Sequence, residues 1–432
     1  ALGRIRGAPV VIHDETSPFR RRSSRIARAL VTVLSAASTV VAADRVVAVA
    51  DVHGTIDGLT GILRAAELID DSNAWIGGEA TLVQTGDLLD RGVHLQEIMD
   101  LLMRLQAEAP ESGGKVIALL GNHEAMNLLG IRRDVNRDAY TAFVDERTET
   151  RRTEAFEAFK RYWRRRGREI GHDVAVTGEA REQWFAMHPP GYFEYVEAFS
   201  PKGKYGAWLR GLPVAAVVDG TLFVHGGFGP MLEGLTVEEV NGRAAAELRT
   251  FDDYHDYMVD SGLALPWFSA PEMAAAVAKE IEALQSATGR YGAFDDRRLA
   301  RLERARGFLH WSKWFITNPE GPLWFRGAAK WDESERGDEM AALLDDLGVD
   351  RMVVGHTVRS SSRIGSRFGG RVYLIDTGML ESVYGGTASA LEISDGTVTA
   401  IYPDERQILV DGPGLRSTQE RDEAAQIPVG TQ

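Results

Sequence analysis

Arg45-Val-Val-Ala-Val-Ala-Asp-Val-His-Gly54 decides the reading of this chain. Arg45–Ala50 is a short apolar, β-branched run of the kind that forms a buried strand. It stops abruptly at Asp51, with His53 and Gly54 following at once. The same grammar recurs downstream. Thr81–Thr85 (TLVQT) runs into Gly86-Asp-Leu-Leu-Asp-Arg-Gly92, and Lys115–Leu120 (KVIALL) runs into Gly121-Asn-His-Glu124. Between these strands, Leu59, Ile62, Leu63, Ala66 and Ile69 repeat at helical spacing, and Leu95–Ala107 does likewise. Strand, loop and helix repeated in this way predict an α/β sheet with its ligands at the carboxyl ends of the strands.

Further along, Val214–Val218 and Thr221–Val224 flank Asp219-Gly220, a two-residue hairpin signal, and deliver His225-Gly-Gly227. A helix at Glu339–Leu347 and a strand at Arg351–Val354 lead to Gly355-His-Thr357. Val372–Ile375 and a hairpin at Asp395-Gly396 close the sheet. Two charged, irregular stretches interrupt this rhythm, at about 132–205 and 236–338, and are expected to be insertions. The second contains helical runs near Val237–Leu248 and Glu272–Leu284. After Pro403 the chain turns polar, so 403–432 is expected to be a loose tail around a domain spanning 44–402.

The chain has 432 residues, 44% of them hydrophobic and 26% charged, an ordinary globular composition. At that length either three domains or one enlarged α/β domain fits. With 49 Lys+Arg against 63 Asp+Glu the net charge is −14, which argues against general nucleic-acid binding. Cys is absent, which removes disulfides, zinc–thiolate sites and thiol nucleophiles. Residues 1–43 admit two readings. Five arginines between Arg20 and Arg28 precede the uncharged run Ala29–Ala43, as in a secretory signal; the other reading is an arginine-led helix packed on the domain. The first implies a periplasmic or secreted protein, the second a cytoplasmic one. No stretch is long and apolar enough for stable membrane insertion.

Five segments thus end a strand at Asp, Asn or His beside Gly: Asp51/His53, Asp87/Asp90/Arg91, Asn122/His123, His225 and His356. Four of the ten histidines fall in them. Glycine beside a ligand lets the backbone approach an ion or phosphate closely. Oxygen and imidazole donors without thiolates suit Mn, Fe or Zn. A carboxylate bridging two such cations gives a site that activates water and clamps an in-line displacement at phosphorus.

In this order the motifs resemble the phosphoprotein-phosphatase branch of the calcineurin-like metallophosphoesterases. Gly121-Asn-His-Glu-Ala-Met-Asn127, Gly321-Pro-Leu-Trp-Phe-Arg-Gly327 and Val372-Tyr-Leu-Ile-Asp-Thr-Gly-Met379 are similar to the bacterial Shewanella-like phosphatases. The resemblance covers about 44–402 and implies a central β-sandwich flanked by helices. It implies a two-metal phosphomonoesterase in which Asp51, His53 and Asp87 hold one divalent ion. Asp87 bridges to a second ion completed by Asn122, His225 and His356. It further implies that Arg91 and Arg326 clamp phosphate, that His123, oriented by Asp90, protonates the leaving oxygen, and that hydroxide shared by the metals attacks. The substrate is then a phosphorylated protein, with phosphotyrosine one candidate, or a small phosphate ester. Hydrolysis of a dinucleoside polyphosphate is the alternative chemistry. A metal-binding protein that only recognises phosphorylated partners is the alternative from outside enzymology, and the intact His123, Asp90 and Arg91 argue against it.

Two positions depart from the family pattern. Ala50 stands where Gly usually precedes the first Asp, and Gly355-His-Thr-Val358 lacks the second His of a Gly-His-x-His motif. The latter favours monoester over diester hydrolysis. Trp311, Trp314, Trp324 and Trp331, four of nine Trp, crowd around Arg326 and are read as packing or as an aromatic wall beside the site. Arg151–Arg168 carries seven Arg and one Lys against two Glu, and is read as a solvated helix face or an electrostatic guide for anions.

Overall fold

A computed structural model describes residues 45–169, 176–287 and 296–411. The signal-like segment and most of the polar tail lie outside the described residues.

Two mixed sheets form the centre. β1 (Arg45–Val49), β2 (Thr81–Gln84) and β3 (Lys115–Ala118) run parallel. In the second sheet, β4 (Ala215–Val218) forms an antiparallel hairpin with β5 (Thr221–Val224). Next to β5, β6 (Arg351–Val354) is parallel and is followed by the antiparallel edge strand β7 (Gly365–Arg367) and by β8 (Val372–Leu374), parallel to β6. The chain then returns to the first sheet, where β9 (Ala390–Ser394), β10 (Thr397–Tyr402) and β11 (Glu405–Val410) extend it antiparallel beyond β1. The orders are β11-β10-β9-β1-β2-β3 and β4-β5-β6-β8-β7.

Side-chain parity explains why the sheets stack. Val46, Ala48 and Ala50 share one face of β1 and meet Phe223, Val353, Tyr373 and Ile375 of the other sheet in a dry inter-sheet core. Val47, Val49, Leu222, Val224, Met352 and Val354 point the opposite way and are covered by helices. Strands buried on both faces read as continuous apolar runs, and these do. The first sheet is flanked by α1 (Ile56–Ala65) and α2 (Leu95–Glu108). α1 starts at Thr55, whose Oγ1 accepts the Gly58 N–H, and stops short of the expected Ile69 because Glu67 takes a left-handed φ of 55°. α3 (Asn122–Leu128) follows β3 directly.

The first excursion contains α4 (Thr148–Glu169), α5 (Gly178–Met187) and α6 (Tyr192–Ala198); α7 (Lys204–Arg210) leads back to β4. The second contains α8 (Val237–Asp260), α9 (Ala270–Ala287), α10 (Asp296–Arg306) and α11 (Gly327–Lys330), before α12 (Glu333–Asp346) enters β6. The two excursions share an aromatic core of their own, in which Phe156, Tyr162 and Trp184 of the first meet Leu265 and Trp267 of the second. Tyr162 Oη donates to the Leu263 carbonyl at 2.9 Å, and Arg166 pairs with Glu280 at 2.7 Å.

The polar stretch after Pro403 differs from the expected loose tail, because its first residues are the edge strand β11. The polarity has a physical reason. Glu405, Arg406 and Gln407 are exposed, while Leu409 and Val410 pack on the inter-sheet core, and charge on an edge strand deters pairing with other chains. Among the described residues no helix is long and apolar enough to cross a membrane.

Candidate metal centre

Six parallel strands, three per sheet, end at one rim. β1 delivers Asp51, β2 Asp87, β3 Asn122, β5 His225, β6 His356 and β8 Asp376, and all six side chains are buried. The turns that present them are tight. His53, Asp87, Asp90, Arg91 and His356 all take left-handed backbone with φ between 46° and 68°. Asp and His tolerate that region better than most residues. Each such residue stores on the order of 1–3 kcal/mol, held only because the surroundings fix it. Gly121 is required by contact, since a Cβ there would stand 2.3 Å from the Asp87 amide nitrogen.

Asp87 is the centre of the cluster. Its Oδ2 lies 3.2 Å from His225 Nε2, 3.8 Å from His53 Nε2 and 3.9 Å from His123 Nε2. Asp51 Oδ2 lies 3.8 Å from His53 Nε2, and Asn122 Oδ1 2.8 Å from His225 Nε2. Two groups meet the spacing a cation needs, His53/Asp87/His123 and Asp87/His225/His356, with Asp87 common to both. A third, Asp90/His123/Asp134, adjoins them.

The imidazoles are oriented to donate lone pairs. His53 Nδ1–H donates to the Leu89 carbonyl at 2.9 Å and His225 Nδ1–H to the Thr85 carbonyl at 3.0 Å, which turns both Nε2 atoms inward. His356 is held by the Trp324 backbone and leaves a buried Nε2 with no partner. A buried orphan of that kind has a reason when a cation takes its lone pair. Burial pushes His53 down to about 3 and His356 to about 2, so both are neutral donors. Burial opposes charge on Asp87 too, yet His225 and His123 outweigh it and hold the carboxyl well below the usual range. Asp51 is pushed well above its usual value by burial and by Asp376 and Asp87. Buried carboxylates crowded together without a countercharge are costly, and divalent cations supply that countercharge. The donor set fits divalent cations.

His123 faces the cluster from the other side. Its Nδ1–H donates to Asp90 Oδ2 at 2.6 Å, and Asn127 Nδ2 donates to Asp90 Oδ1 at 2.8 Å. Tyr195 Oη holds Asn127 Oδ1 at 2.7 Å. Burial disfavours a charged His123, but Asp87 and Asp90 outweigh it and raise its pKa. Arg91 reaches the same space, with Nη1 2.7 Å from His53 Nε2 and Nη2 3.1 Å from His123 Nε2. Arg326 donates to the His356 carbonyl at 3.1 Å and to Thr357 Oγ1 at 2.9 Å, at the opposite margin. All ten side chains read from the sequence therefore gather at this rim.

Several contributors had no role in the sequence reading. Glu124 accepts the N–H groups of Asp87, Leu88, Leu89 and Gly121, so one carboxylate ties the two tight turns together. Burial and Asp87 push it up to about 7. Asp376 is pushed up to about 6 by burial; its Oδ1 accepts the Gly378 N–H and its Oδ2 is a buried orphan. Both residues sit inside motifs quoted above, Gly121–Asn127 and Val372–Met379, which was the available signal. Tyr384, on α13 (Glu381–Tyr384), stands 5.7 Å from the His53 ring and 5.1 Å from the Arg91 guanidinium. Of the four clustered Trp, Trp324 alone makes a ring contact with a site residue, edge-on to His356 at 5.9 Å. Trp311 and Trp314 pack on Phe308, and Trp331 on Phe325. Ala50 places its methyl in the inter-sheet core, and Val358 packs against the Gly378 turn, which accommodates both departures from the family pattern.

The calcineurin-like phosphoesterase family model matches residues 44–360. Shewanella-like protein phosphatase 1 of Plasmodium berghei is 25% identical over 365 residues, covering 83% of this chain and 74% of that protein. Shewanella-like protein phosphatase 2 of Arabidopsis thaliana is 40% identical over 100 residues, 23% of this chain and 26% of the relative. The relatives thus include eukaryotic proteins. Among solved structures, a cold-active protein-tyrosine phosphatase of a psychrophilic Shewanella species superposes with a TM-score of 0.53 at 22% identity, covering 85% of this chain and 80% of that one, which supports the fold. The fold, the buried His/Asp cluster at the strand ends and the extent of the match lead to one conclusion: this chain belongs to the calcineurin-like phosphoesterase family and is a metal-dependent phosphoric ester hydrolase.

Proposed function

We propose that the protein is a two-metal phosphomonoesterase acting on phosphorylated proteins, with a preference for phosphotyrosine. The observation that carries the two-metal reading is the placement of Asp87 Oδ2 within 3.2–3.9 Å of the Nε2 atoms of His53, His123 and His225. Asp51, His53 and Asp87 would hold one ion, and Asp87, Asn122, His225 and His356 the other. Bound there, divalent ions activate water and neutralise charge on the phosphoryl oxygens.

The chain's own residues supply the rest. Arg91 grips phosphate oxygens, since a guanidinium fork matches them in a bidentate way; Arg326 does so from the opposite margin. His123 Nε2 delivers a proton to the leaving oxygen, while Asp90 holds Nδ1 and stabilises the charged ring. Arg91 lies 3.1 Å from that Nε2, so the phosphate grip and the proton donor address adjacent oxygens. The phosphoprotein reading is supported by the Shewanella-like relatives, and the phosphotyrosine preference by the tyrosine phosphatases among the fold neighbours. Tyr384 beside His53 and over Arg91 offers an aromatic edge to an aryl leaving group.

The test is a panel of phosphotyrosyl, phosphoseryl and phosphothreonyl peptides plus diadenosine tetraphosphate, assayed with Mn²⁺. The highest kcat/KM is expected on phosphotyrosyl peptides. Faster cleavage of diadenosine tetraphosphate than of every phosphopeptide would overturn the substrate assignment.

A further inference from the structure

The basic run on α4 is more than a solvated face. Arg161, Arg164, Arg165 and Arg168 recur at helical spacing and line a cavity of about 740 Å³. Its other wall is Val259 from the end of α8 and Gly262, Ala264, Leu265 and Pro266 from the loop that follows. None of these residues belongs to the metal centre. The four guanidiniums span seven positions of helix, roughly 10 Å at about 1.5 Å per residue.

Pairing separates this cleft from the rest of the helix. Arg151 is tied to Asp145 and Glu194, Arg152 to Glu149, and Lys160 to Glu157. In the cleft, Arg165 donates to the Gly262 carbonyl and lies over the Tyr162 ring, which fixes the two walls together. Arg161, Arg164 and Arg168 have no ion-pair partner among the described residues. The cations outside the cleft are thus satisfied within the chain, and three of those inside face it unpaired, on a protein of net charge −14.

We propose that this cleft is a docking site for an acidic peptide segment, its arginines pairing with Asp and Glu side chains and its apolar wall covering the aliphatic residues between them. The dimensions suit a few extended residues rather than one small anion. A long nucleic-acid backbone needs a continuing basic track, and here the track ends where Arg151 and Arg152 are already paired. As an exosite, the cleft would favour phosphoproteins bearing an acidic stretch away from the phosphorylated residue. This extension rests on the phosphoprotein reading above; the binding itself does not.

The test uses the full chain and fluorescence anisotropy. The probes are an unphosphorylated peptide rich in Asp, Glu and Leu, the same peptide with Asn and Gln replacing the acids, and an oligothymidylate of equal charge. The acidic peptide should bind at least about tenfold more tightly than either control and weaken as salt rises. Arg161→Gln/Arg164→Gln should lose about tenfold in its affinity, and Arg161→Glu/Arg164→Glu more; the milder pair keeps the test decisive if the reversal disturbs folding. Both variants should keep wild-type kcat/KM on a small aryl phosphate. On phosphopeptides with an acidic flank, their KM should rise with kcat unchanged. Equal affinity of wild type and variants for the acidic peptide, or tighter binding of the oligothymidylate, would overturn the proposal. Arginine-dependent binding without turnover of any phosphopeptide would uphold the cleft and count against the phosphoprotein reading alone.

Discussion

His123 Nδ1 lies 2.6 Å from Asp90 Oδ2, and both groups are buried. A carboxylate so placed fixes the ring's tautomer and favours its charged form. If His123 supplies the leaving-group proton, His123→Ala should cost most with alkyl or seryl phosphates, by about 10²–10⁴-fold in kcat. Activated aryl phosphates, whose oxygens leave as stabilised anions, should lose much less. An equal loss across leaving groups, read from a plot of log kcat against leaving-group pKa, would assign His123 to positioning instead.

If Asp87 bridges two cations, Asp87→Asn should damage both positions at once, because the shared oxygen then loses its charge. Metal stoichiometry should fall at both positions, and turnover should fall with it. Full occupancy with wild-type turnover would remove Asp87 from the bridge.

Arg91→Lys and Arg326→Lys should leave metal content unchanged, since a guanidinium has no lone pair for a cation. Lysine keeps the charge and loses the fork, so affinity for inorganic phosphate and vanadate should weaken. Part of the loss should appear in kcat. Arg91 should be the more sensitive, because it contacts both His53 and His123, whereas Arg326 bonds to the His356 carbonyl and Thr357. Wild-type phosphate affinity and turnover in Arg326→Lys would dismiss its clamp role and leave the metal assignment intact.

Glu124→Gln tests the scaffold rather than the chemistry. Glu124 accepts four backbone N–H groups, and an amide must turn an NH₂ toward some of them. Leaving a buried donor unsatisfied costs about 1–3 kcal/mol, so denaturant melts should show a loss of that order. Metal affinity should fall too, because the turn carrying Asp87 is released. An unchanged midpoint and unchanged metal affinity would show that the turns hold without it.

What the sequence disclosed follows from which features are local. An apolar strand stopped by Asp51-Val-His-Gly54 or by Gly121-Asn-His-Glu124 is a local signal, and nine of the expected site residues lie at such strand ends, whereas Arg326 follows no strand and came only from the resemblance of Gly321–Gly327. Asp376 also ends a strand, but its neighbour Asp51 is distant in sequence, and nothing local shows that the two meet. Asn127 and Tyr195 belong to a chain of hydrogen bonds that exists only once the first insertion folds back on α3. β11 read as a tail because an edge strand needs only part of its length to be apolar. Likewise the arginines of α4 read only as a solvated face or a general guide for anions, since the wall that makes their cleft comes from a loop about a hundred positions away.

The most direct measurement is metal titration of exhaustively chelated protein, following turnover of an aryl phosphate and bound metal per chain by elemental analysis. Two buried sites joined through Asp87 predict no turnover without metal, its recovery with Mn²⁺, and saturation at two ions per chain. Full turnover in verified metal-free protein, or full activity at a single bound ion, would contradict the two-metal centre.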